Sequence, residues 1–246
     1  MKKKIIAIIP ARFNSSRFPG KPLVDIKGKS MIQRVYENVK DSNLIDQVVV
    51  ATDDMRIGEA VKAFKGEYIL TSSSHVNGTS RIAEAAERVD ADIIINVQGD
   101  EPLVEAEILD ELIKPFLTTE NTVMATLKAK LTEENLINDP NVVKVITDVN
   151  GNAVYFSRSV IPFNRDGVSQ TYYKHIGIYA YSKDFLLKYV TLPPSDLELA
   201  ESLEQLRALE NGYPIYVSEV ENELISIDTP EDLDRLERYM KERSLN

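Results

Sequence analysis

Three positively charged side chains lie within ten residues just after the first apolar run of the chain. The stretch IIPARFNSSRFPGKPL contains Arg12, Arg17 and Lys21 among Asn, Ser, Pro and Gly. Backbone N–H groups in such a loop, with Arg and Lys side chains added, can bind a polyphosphate. The loop has neither the G-x-x-x-x-G-K-[ST] nor the G-x-G-x-x-G pattern. A solvated surface loop with incidental cations is the alternative, and the stiffness that Pro19 and Pro22 give the loop counts against it.

Acidic side chains follow two later apolar runs. The motif NVQGDEP contains Asp100 and Glu101, and Gly99 before them would let backbone approach a ligand. Carboxylate oxygens are the ligands that Mg²⁺ prefers when it also bridges phosphate oxygens. An acidic turn at a helix start is the alternative for Asp100. In ISIDTPEDL, Asp228 is a candidate second metal carboxylate, although its residues alone favour an ordinary helix start.

The second half of the chain has cations and hydrogen-bond donors on neighbouring motifs. YFSRSVIPFNRD contains Arg158, and YYKHIGIYAY contains His175 and Tyr179, which share one face of a predicted strand because side chains alternate. This set suits an anionic, hydroxyl-rich molecule, and a structural histidine is the alternative for His175. Glu204 and Gln205 avoid the leucine face of a predicted helix, which by itself indicates a solvated surface.

Short apolar runs alternate with helical patterns over the first 120 residues. Runs rich in β-branched residues predict strands covered on both faces, at 5–10, 47–52, 67–70 and 92–97. The segments between them predict helices that open with a Ser, Asp or Thr cap, at 30–42, 54–66 and 79–89. This repetition predicts a parallel sheet with right-handed crossovers. Because ligands bind at the carboxyl ends of such strands, we expect the loop cations and Asp100 to lie at one edge.

The pattern changes after about residue 120. Longer strands are predicted at 122–131, at 142–159 with a turn at Asn150–Gly151, and at 172–181. One helix is predicted over 195–212, with a Ser195–Glu198 capping box, a stop at Gly212 and an inward face of Leu199, Leu203 and Leu206. A last helix is predicted to start with Thr229 as cap and Pro230 as first residue.

These patterns predict a single domain over 1–246 with a doubly wound, Rossmann-like α/β fold and a mixed sheet. Its N-terminal half is expected to end near residue 120, and its second half to cover about 121–246. The formal net charge of −10 argues against nucleic acid as a main partner. The chain has no cysteine, which excludes disulfides, thiolate metal sites and a cysteine nucleophile.

No sequence feature indicates a membrane. The run IIAIIP after MKKK is too short for the apolar region of a signal peptide, and no run approaches the length of a membrane span. We therefore expect a cytoplasmic protein without membrane insertion.

Seven motifs in this order resemble one family, 3-deoxy-manno-octulosonate cytidylyltransferase or CMP-Kdo synthetase. They are IPARFNSSRFPGKPL, NGTSRIAEA, NVQGDEP, VYFSRSVIPFNRD, KHIGIYAY, LEQLRALENG and DTPEDL, and the resemblance covers nearly the whole chain. It implies a nucleotide-diphospho-sugar transferase type of fold, a homodimer and Mg²⁺ as cofactor. The implied partners are CTP and Kdo, an acidic eight-carbon sugar, and the implied role is in lipopolysaccharide biosynthesis.

The resemblance also implies roles residue by residue. The catalytic residues would be Arg12, Lys21 and Asp100, of which the two cations would hold the triphosphate of CTP. The nucleotide would also contact Ala11, Asn77, Arg81 and Gln98. Magnesium would be held by Asp100 and Asp228. The sugar acid would be bound by Arg158, His175, Tyr179, Glu204 and Gln205.

The chain departs from the family pattern at two places. Ser80 stands where the family usually has an acidic residue, and SIDTPEDL stands where GVDTPEDL is common. These differences leave open the same reaction on a Kdo analogue such as 8-amino-Kdo, or on another acidic sugar. A non-catalytic sensor of sugar nucleotides is a further alternative, which the candidate metal carboxylates and Lys21 disfavour.

Overall fold

The computed structural model describes residues 2–14, 18–221, 226–227 and 229–242. Its strands, in chain order, are β1 (Ile5–Ala11), β2 (Asp25–Ile26), β3 (Lys29–Ser30), β4 (Gln47–Thr52), β5 (Tyr68–Leu70), β6 (Ile93–Asn96), β7 (Met124–Leu131), β8 (Lys144–Thr147), β9 (Ala153–Ser157), β10 (Tyr172–Ser182) and β11 (Tyr216–Val220). Its α-helices are α1 (Met31–Lys40), α2 (Met55–Ala63), α3 (Gly78–Glu87), α4 (Ala106–Thr118), α5 (Glu134–Asn138), α6 (Lys183–Tyr189), α7 (Asp196–Glu201), α8 (Leu206–Glu210) and α9 (Pro230–Glu242).

The chain forms two compact units. The first consists of Met1–Asp110 and Leu224–Asn246, and the second of Glu111–Glu223. The units thus divide after residue 110, not near 120, and the last part of the chain belongs with the first unit. That the two act as one nucleotidyltransferase domain stays a prediction.

The first unit contains four parallel strands in the order β6–β1–β4–β5. All four predicted strands and the predicted parallel pairing are confirmed, and β4 has the predicted bounds. Residues Ile5 to Ile9 of β1 are each at most 2% exposed, so both faces of this strand are covered. Burial on both faces is the reason that the run is apolar without alternation.

Helix α3 begins differently from the prediction. Ser30 and Asp54 cap α1 and α2 as expected, by accepting the amide hydrogens of Gln33 and Arg56. In α3 the cap is Asn77, whose side-chain oxygen accepts from the Ser80 amide at 2.9 Å. The predicted Thr cap is wrong because the helix starts at Gly78, one residue before Thr79, and Asn is an equally good cap.

The end of the chain returns to the first unit. Ile227, Leu236 and Met240 are fully buried in a cluster with Ile26 and Met31. Helix α9 begins at Pro230, as predicted, and the Asp232 carboxylate accepts from the amide and the hydroxyl of Thr229, at 2.9 and 3.1 Å. Burial of this apolar face is what holds the C-terminal helix on the unit.

The second unit has mixed pairing, as predicted. Strand β11 is parallel to β7, whereas β7 pairs with β10, β10 with β8 and β8 with β9 in antiparallel fashion. The β8–β9 connection passes through the predicted Asn150–Gly151 turn, in which Gly151 has a φ of +85°. The register of β10 against β7 shifts between Ile176 and Ala180. The predicted Rossmann-like α/β class with a mixed sheet is confirmed.

The single helix predicted over 195–212 is wrong. Helices α7 and α8 are separated at Ser202, whose backbone is left-handed with a φ of +52°. The predicted inward face is also partly wrong, because Leu203 and Leu206 are buried whereas Leu199 is 66% exposed. The capping interaction survives, with the Ser195 amide donating to Glu198 Oε2 at 3.2 Å. Gly212 ends the second helix with a φ of +78°, as predicted.

The elements β2, β3, α4, α5, α6 and β11 add to those predicted. Among the residues that the structure describes, no helix is both long and apolar enough to cross a membrane.

Candidate active site

A cavity of about 330 Å³ lies in the first unit, where β1 and β6 end. It brings together all of the predicted nucleotide-binding residues and the predicted catalytic ones. Its lining consists of Pro10, Ala11, Arg12, Lys21, Pro22, His75, Val76, Asn77, Gly78, Arg81, Gln98, Gly99 and Asp100. The expected convergence at one sheet edge is therefore confirmed for Arg12, Lys21 and Asp100.

Backbone crowding explains one glycine of this cavity. A Cβ atom at Gly99 would lie 2.9 Å from the carbonyl oxygen of Pro10, closer than side-chain carbons approach other atoms. Only glycine lets the turn after β6 pack directly against the end of β1. The two strand ends thereby form adjoining walls of the cavity.

Lys21 and Asp100 form an ion pair on the cavity wall. Lys21 Nζ donates to Asp100 Oδ2 and to the carbonyl oxygen of Ile227, each at 2.7 Å. The side chains are 15% and 27% exposed, so the pair is partly withdrawn from water. Gly20, with a φ of +72°, turns the chain into the short 3-10 turn that starts with Lys21, and its amide donates to Phe13 O at 2.9 Å. Asp100 is therefore held by a cation and not by a helix start.

Arg12 provides a second positive charge at the cavity. Its side chain is exposed, and it makes no hydrogen bond or ion pair with a described residue. A guanidinium in this position can pair with an incoming anion without first breaking an internal contact. Arg17, the third cation of the loop, lies outside the described residues.

Arg81 is a buried cation with its position fixed by two side chains. It is 3% exposed, and its guanidinium donates to Thr71 Oγ1 at 2.7 Å and to Asp53 Oδ2 at 3.1 Å. Sequence reasoning missed Asp53 and Thr71, which directly follow β4 and β5 and lie 28 and 10 residues before Arg81. Gln98, in the same cavity, donates to Asn96 Oδ1 at 3.4 Å.

His75 is a cavity residue that sequence reasoning also missed. Its Nε2 atom lies 2.6 Å from Oε2 of Glu84 on helix α3. A signal was present, because His75 precedes the Asn77–Gly78 helix start by two residues in the segment after β5. Residues at the amino end of a helix that borders a sheet edge are well placed to reach a ligand there.

The predicted sugar-acid residues lie in the second unit, where Arg158 joins two segments. Its Nε donates to the Glu201 carbonyl oxygen at 2.7 Å, and its NH1 and NH2 atoms donate to the carbonyl oxygens of Pro140 and Ser202 at 3.2 and 3.4 Å. Its amide donates to Glu201 Oε2 at 2.9 Å. The guanidinium is therefore engaged with backbone carbonyls in this structure.

His175 and Tyr179 are in contact, as their shared strand face predicts. Their ring centroids are 5.5 Å apart, and Phe156 packs edge-on against His175 at 4.9 Å. His175 Nε2 lies 3.0 Å from Thr126 Oγ1. Burial lowers the pKa of His175 to about 3, and burial raises the pKa of Tyr179 well above its usual value.

Glu204 and Gln205 lie between α7 and α8, in the irregular segment that follows Ser202. The Glu204 carbonyl oxygen accepts from the Tyr189 hydroxyl at 2.5 Å. Gln205 is 4% exposed, and its Nε2 amide has no hydrogen-bond partner among the described residues. The interpretation of Gln205 as a solvated helix residue is therefore wrong, and a buried amide without a partner is typical of a ligand site.

Comparison with known proteins identifies the family. The sequence profile of the family described as cytidylyltransferase matches residues 6–238. The 3-deoxy-manno-octulosonate cytidylyltransferase of Solibacter usitatus is 49% identical over 242 residues, covering 98% of this chain and 96% of its own. That of Fusobacterium nucleatum is 51% identical over 243 residues, covering 98% and 99%. The chain belongs to the 3-deoxy-manno-octulosonate cytidylyltransferase family. The predicted resemblance is confirmed.

A solved structure of this cytidylyltransferase family is similar over the same length. It is a CMP:2-keto-3-deoxy-manno-octonic acid synthetase complexed with CTP, with a TM-score of 0.94 and 42% identity. The superposition covers 98% of this chain and 99% of that one. The nucleotidyltransferase type of fold is therefore shared over nearly the whole chain.

The cytidylyltransferase pocket has one described carboxylate for a divalent cation. Among the described residues, no group of three or more His, Cys, Asp or Glu side chains could hold a metal ion by itself. Asp228, the second predicted ligand, lies outside them. Asp100 Oδ1 accepts no hydrogen bond from a described residue, so it is open to a cation. One or two carboxylates plus substrate phosphate oxygens are a usual Mg²⁺ site, and the residues present fit that ion.

Proposed function

We propose that this cytidylyltransferase activates 3-deoxy-manno-octulosonate (Kdo) with CTP, giving CMP-Kdo and pyrophosphate. The observation that carries the proposal is the cavity in which Arg12, Lys21 and Asp100 meet in a chain half-identical to enzymes of that name. The anomeric hydroxyl oxygen of the sugar would bond to the α-phosphorus. The bond from that phosphorus to the bridging oxygen would break, and pyrophosphate and the hydroxyl proton would leave.

Lys21 and Arg12 are proposed to neutralise the triphosphate. Charge accumulates on the leaving pyrophosphate as the bond breaks, and fixed cations around it lower the barrier. Lys21 has a carboxylate partner in this structure, so phosphate oxygens would compete with Asp100 for its protons. Arg12, which is exposed at the cavity, would add a planar group able to bind two phosphate oxygens at once.

The part of the cavity lining formed by Ala11, Asn77, Arg81 and Gln98 is proposed to bind cytidine. Ala11, Asn77 and Gln98 lie in the same cavity as the cations, and Arg81 is fixed there by Asp53 and Thr71. A side chain that is already immobilised loses little conformational freedom on binding, which favours selective recognition of one nucleoside.

The residues of the second unit are proposed to bind the sugar acid. The buried, unpartnered Gln205 amide and the half-buried ring pair of His175 and Tyr179 offer donors and acceptors for hydroxyl groups. Arg158 and Glu204 are proposed to take part as well. The Arg158 guanidinium donates to backbone carbonyl oxygens in this structure. It would therefore bind a carboxylate through N–H groups that these hydrogen bonds do not use, or after one of these bonds has broken.

Magnesium is proposed as the cofactor, held by Asp100 and Asp228. When bound, it would supply Lewis-acid polarisation of the phosphate. The described residues support this placement, because the Ile227 amide donates to the Asp100 carbonyl at 3.0 Å and Ile227 directly precedes Asp228. Ser226 also hydrogen-bonds the Glu101 carboxylate.

The deciding experiment is a pyrophosphate-release assay with CTP, Mg²⁺ and a panel of sugar acids. We expect release with Kdo and little with 8-amino-Kdo or nonulosonic acids, and mass spectrometry should identify CMP-Kdo. Release with 8-amino-Kdo alone would move the assignment to the analogue. Binding of CTP without release with any sugar acid would instead indicate a sensor.

Substitution of Asp100 tests the metal role. Asp100→Asn keeps the shape of the side chain but removes the negative charge, so Mg²⁺-dependent release should fall by at least about 10²-fold, as for loss of one key electrostatic contact. The melting temperature should stay within a few degrees of the parent value. Glu37→Gln, which changes a half-exposed carboxylate that pairs with Lys29, is the matched control. Normal turnover of Asp100→Asn in magnesium would disprove the metal role.

Three further expectations complete the proposal. The enzyme is proposed to be a cytoplasmic homodimer that serves lipopolysaccharide biosynthesis. Sedimentation analysis of the purified chain tests the dimer, and fractionation of cells tests the location. A strain depleted of the protein should lose CMP-Kdo if the pathway assignment is right.

A further inference from the structure

The segment between β5 and α3 is attached to α3 by Arg81, which donates to Thr71, and by the carboxylate of Glu84. Glu84 Oε2 accepts from the Ser72 amide at 2.9 Å and lies 2.6 Å from His75 Nε2. Glu84 Oε1 pairs with Arg88, whose NH1 atom donates to the Leu70 carbonyl oxygen at 2.7 Å. Glu84 therefore holds His75 in a fixed position on the cavity wall.

The same contact decides which ring nitrogen of His75 points to a ligand. The Ser72 amide and His75 lower the pKa of the Glu84 carboxyl, so it is ionised and can only accept hydrogen bonds. A ring that carries one proton must then carry it on Nε2, which leaves Nδ1 as an acceptor. No hydrogen bond from a described residue reaches Nδ1, and the side chain remains 17% exposed at the cavity.

We propose that His75 is a specificity-determining residue, whose Nδ1 accepts a hydrogen bond from the nucleoside part of the bound nucleotide. This inference rests on the proposed function. The donor would be the 4-amino group of cytosine or a ribose hydroxyl. Uracil presents a carbonyl acceptor where cytosine presents its amino donor, so an acceptor on the protein discriminates between them. A site with a fixed acceptor rejects a nucleotide that lacks the donor because the acceptor then stays unpaired.

The competing interpretation is that His75 only ties its segment to α3. If His75 had only that role, its removal would change the stability of the protein and would lower kcat/KM by the same factor for every nucleotide. A recognition role changes the ratios between nucleotides. The test is therefore kcat/KM for CTP, UTP and dCTP, all measured under the same buffer conditions.

His75→Ala should lower the CTP/UTP or the CTP/dCTP ratio by about tenfold, the effect of one lost hydrogen bond. A fall in the first ratio assigns the donor to the base, and a fall in the second assigns it to the ribose 2′-hydroxyl. His75→Gln, which can still donate to Glu84 and present an acceptor, should recover part of the lost ratio. Glu84→Gln should lower the same ratio, because a neutral amide no longer fixes the ring proton.

The matched control is Glu87→Gln, an exposed carboxylate on the same helix that should leave all ratios unchanged. Equilibrium binding of CTP, UTP and dCTP by calorimetry provides the same ratios for a variant that no longer turns over. Unchanged ratios in a folded His75→Ala variant would overturn the inference while leaving CTP use intact. A parent chain that does not use CTP would overturn the proposed function itself.

Discussion

Lys21 in the first unit and Lys144 in the second are both withdrawn from water, but their partners differ. Among the residues that the structure describes, Lys21 Nζ donates to the Asp100 carboxylate and to the Ile227 carbonyl oxygen, and Lys21 lies on a cavity wall. Lys144 is fully buried, and its Nζ donates to the carbonyl oxygens of Asp139, Val142 and Arg158 at 2.9, 2.6 and 2.7 Å. Three carbonyls use all three ammonium hydrogens, which leaves no donor for a ligand.

The comparison separates a structural cation from a cation that can work on a substrate. A carboxylate partner is exchangeable, because a phosphate can replace it and a metal ion can take the released carboxylate. Backbone carbonyls of the same unit have no such replacement. The partner of a buried lysine therefore indicates its role better than its degree of burial does.

Removal of Lys144 should give the largest effect, on stability. Lys144→Ala leaves three inward carbonyl oxygens without their donor, and we expect a loss of about 3–5 kcal/mol in the free energy of unfolding. Urea unfolding followed by circular dichroism measures it. Lys130→Ala, which removes a 62%-exposed partner of Glu219 in the same unit, should cost less than about 1 kcal/mol. Equal losses in the two variants would remove the distinction between the lysines.

Removal of Lys21 should act on turnover instead. Lys21→Ala should lose about 2–4 kcal/mol of transition-state stabilisation, which lowers kcat/KM for CTP by roughly 30- to 1000-fold. Pyrophosphate release measures the rate, and the melting temperature should change little. Lys29→Ala, which removes an exposed lysine of the same unit, should keep the parent rate. A parent-like rate in Lys21→Ala would exclude this lysine from the mechanism.

His175, in the second unit, should have a smaller effect on stability, and this effect should depend on pH. Since burial lowers the pKa of His175 to about 3, the folded state binds no proton there between about pH 6.5 and 3, whereas the unfolded state does. Its contribution to stability is therefore complete above about pH 6.5 and is lost as the pH falls towards 3.

NMR can check this directly, because the chain has only two histidines. The His175 ring signal, assigned by its absence in His175→Gln, should not move between about pH 5 and 8. His175→Gln should also reduce the slope of unfolding free energy against pH below about pH 6.5. A ring signal that titrates in that range would contradict the buried, neutral state.

Local patterns predicted the parts of the fold that local forces decide. The run at 47–52 became β4 with the same bounds, because a strand buried on both faces must be apolar throughout. The helix over 195–212 failed because its break depends on Arg158, which binds the carbonyls of Glu201 and Ser202 from more than 40 residues away. A contact of this kind has no trace in the helical periodicity.

Some residues of the candidate site could likewise be predicted from the sequence, and others could not. Arg12, Lys21 and Asp100 were predictable because charged residues after parallel strands share an edge. Asp53 and Glu84 were not, because each acts by holding a second side chain, Arg81 or His75, and only the folded chain brings these pairs together. For Gln205 the leucine spacing alone indicates a solvated residue, whereas it is buried because its segment leaves the predicted helix.

The bond from Lys21 to the carbonyl of Ile227 joins residues 206 positions apart. A ribosome must therefore synthesise the chain as far as Ile227 before this wall of the cavity can be completed. A nascent chain that already carries the loop, the glycine turn and Asp100 would still lack the contact, so nucleotide binding should begin only after Ile227 has left the ribosome.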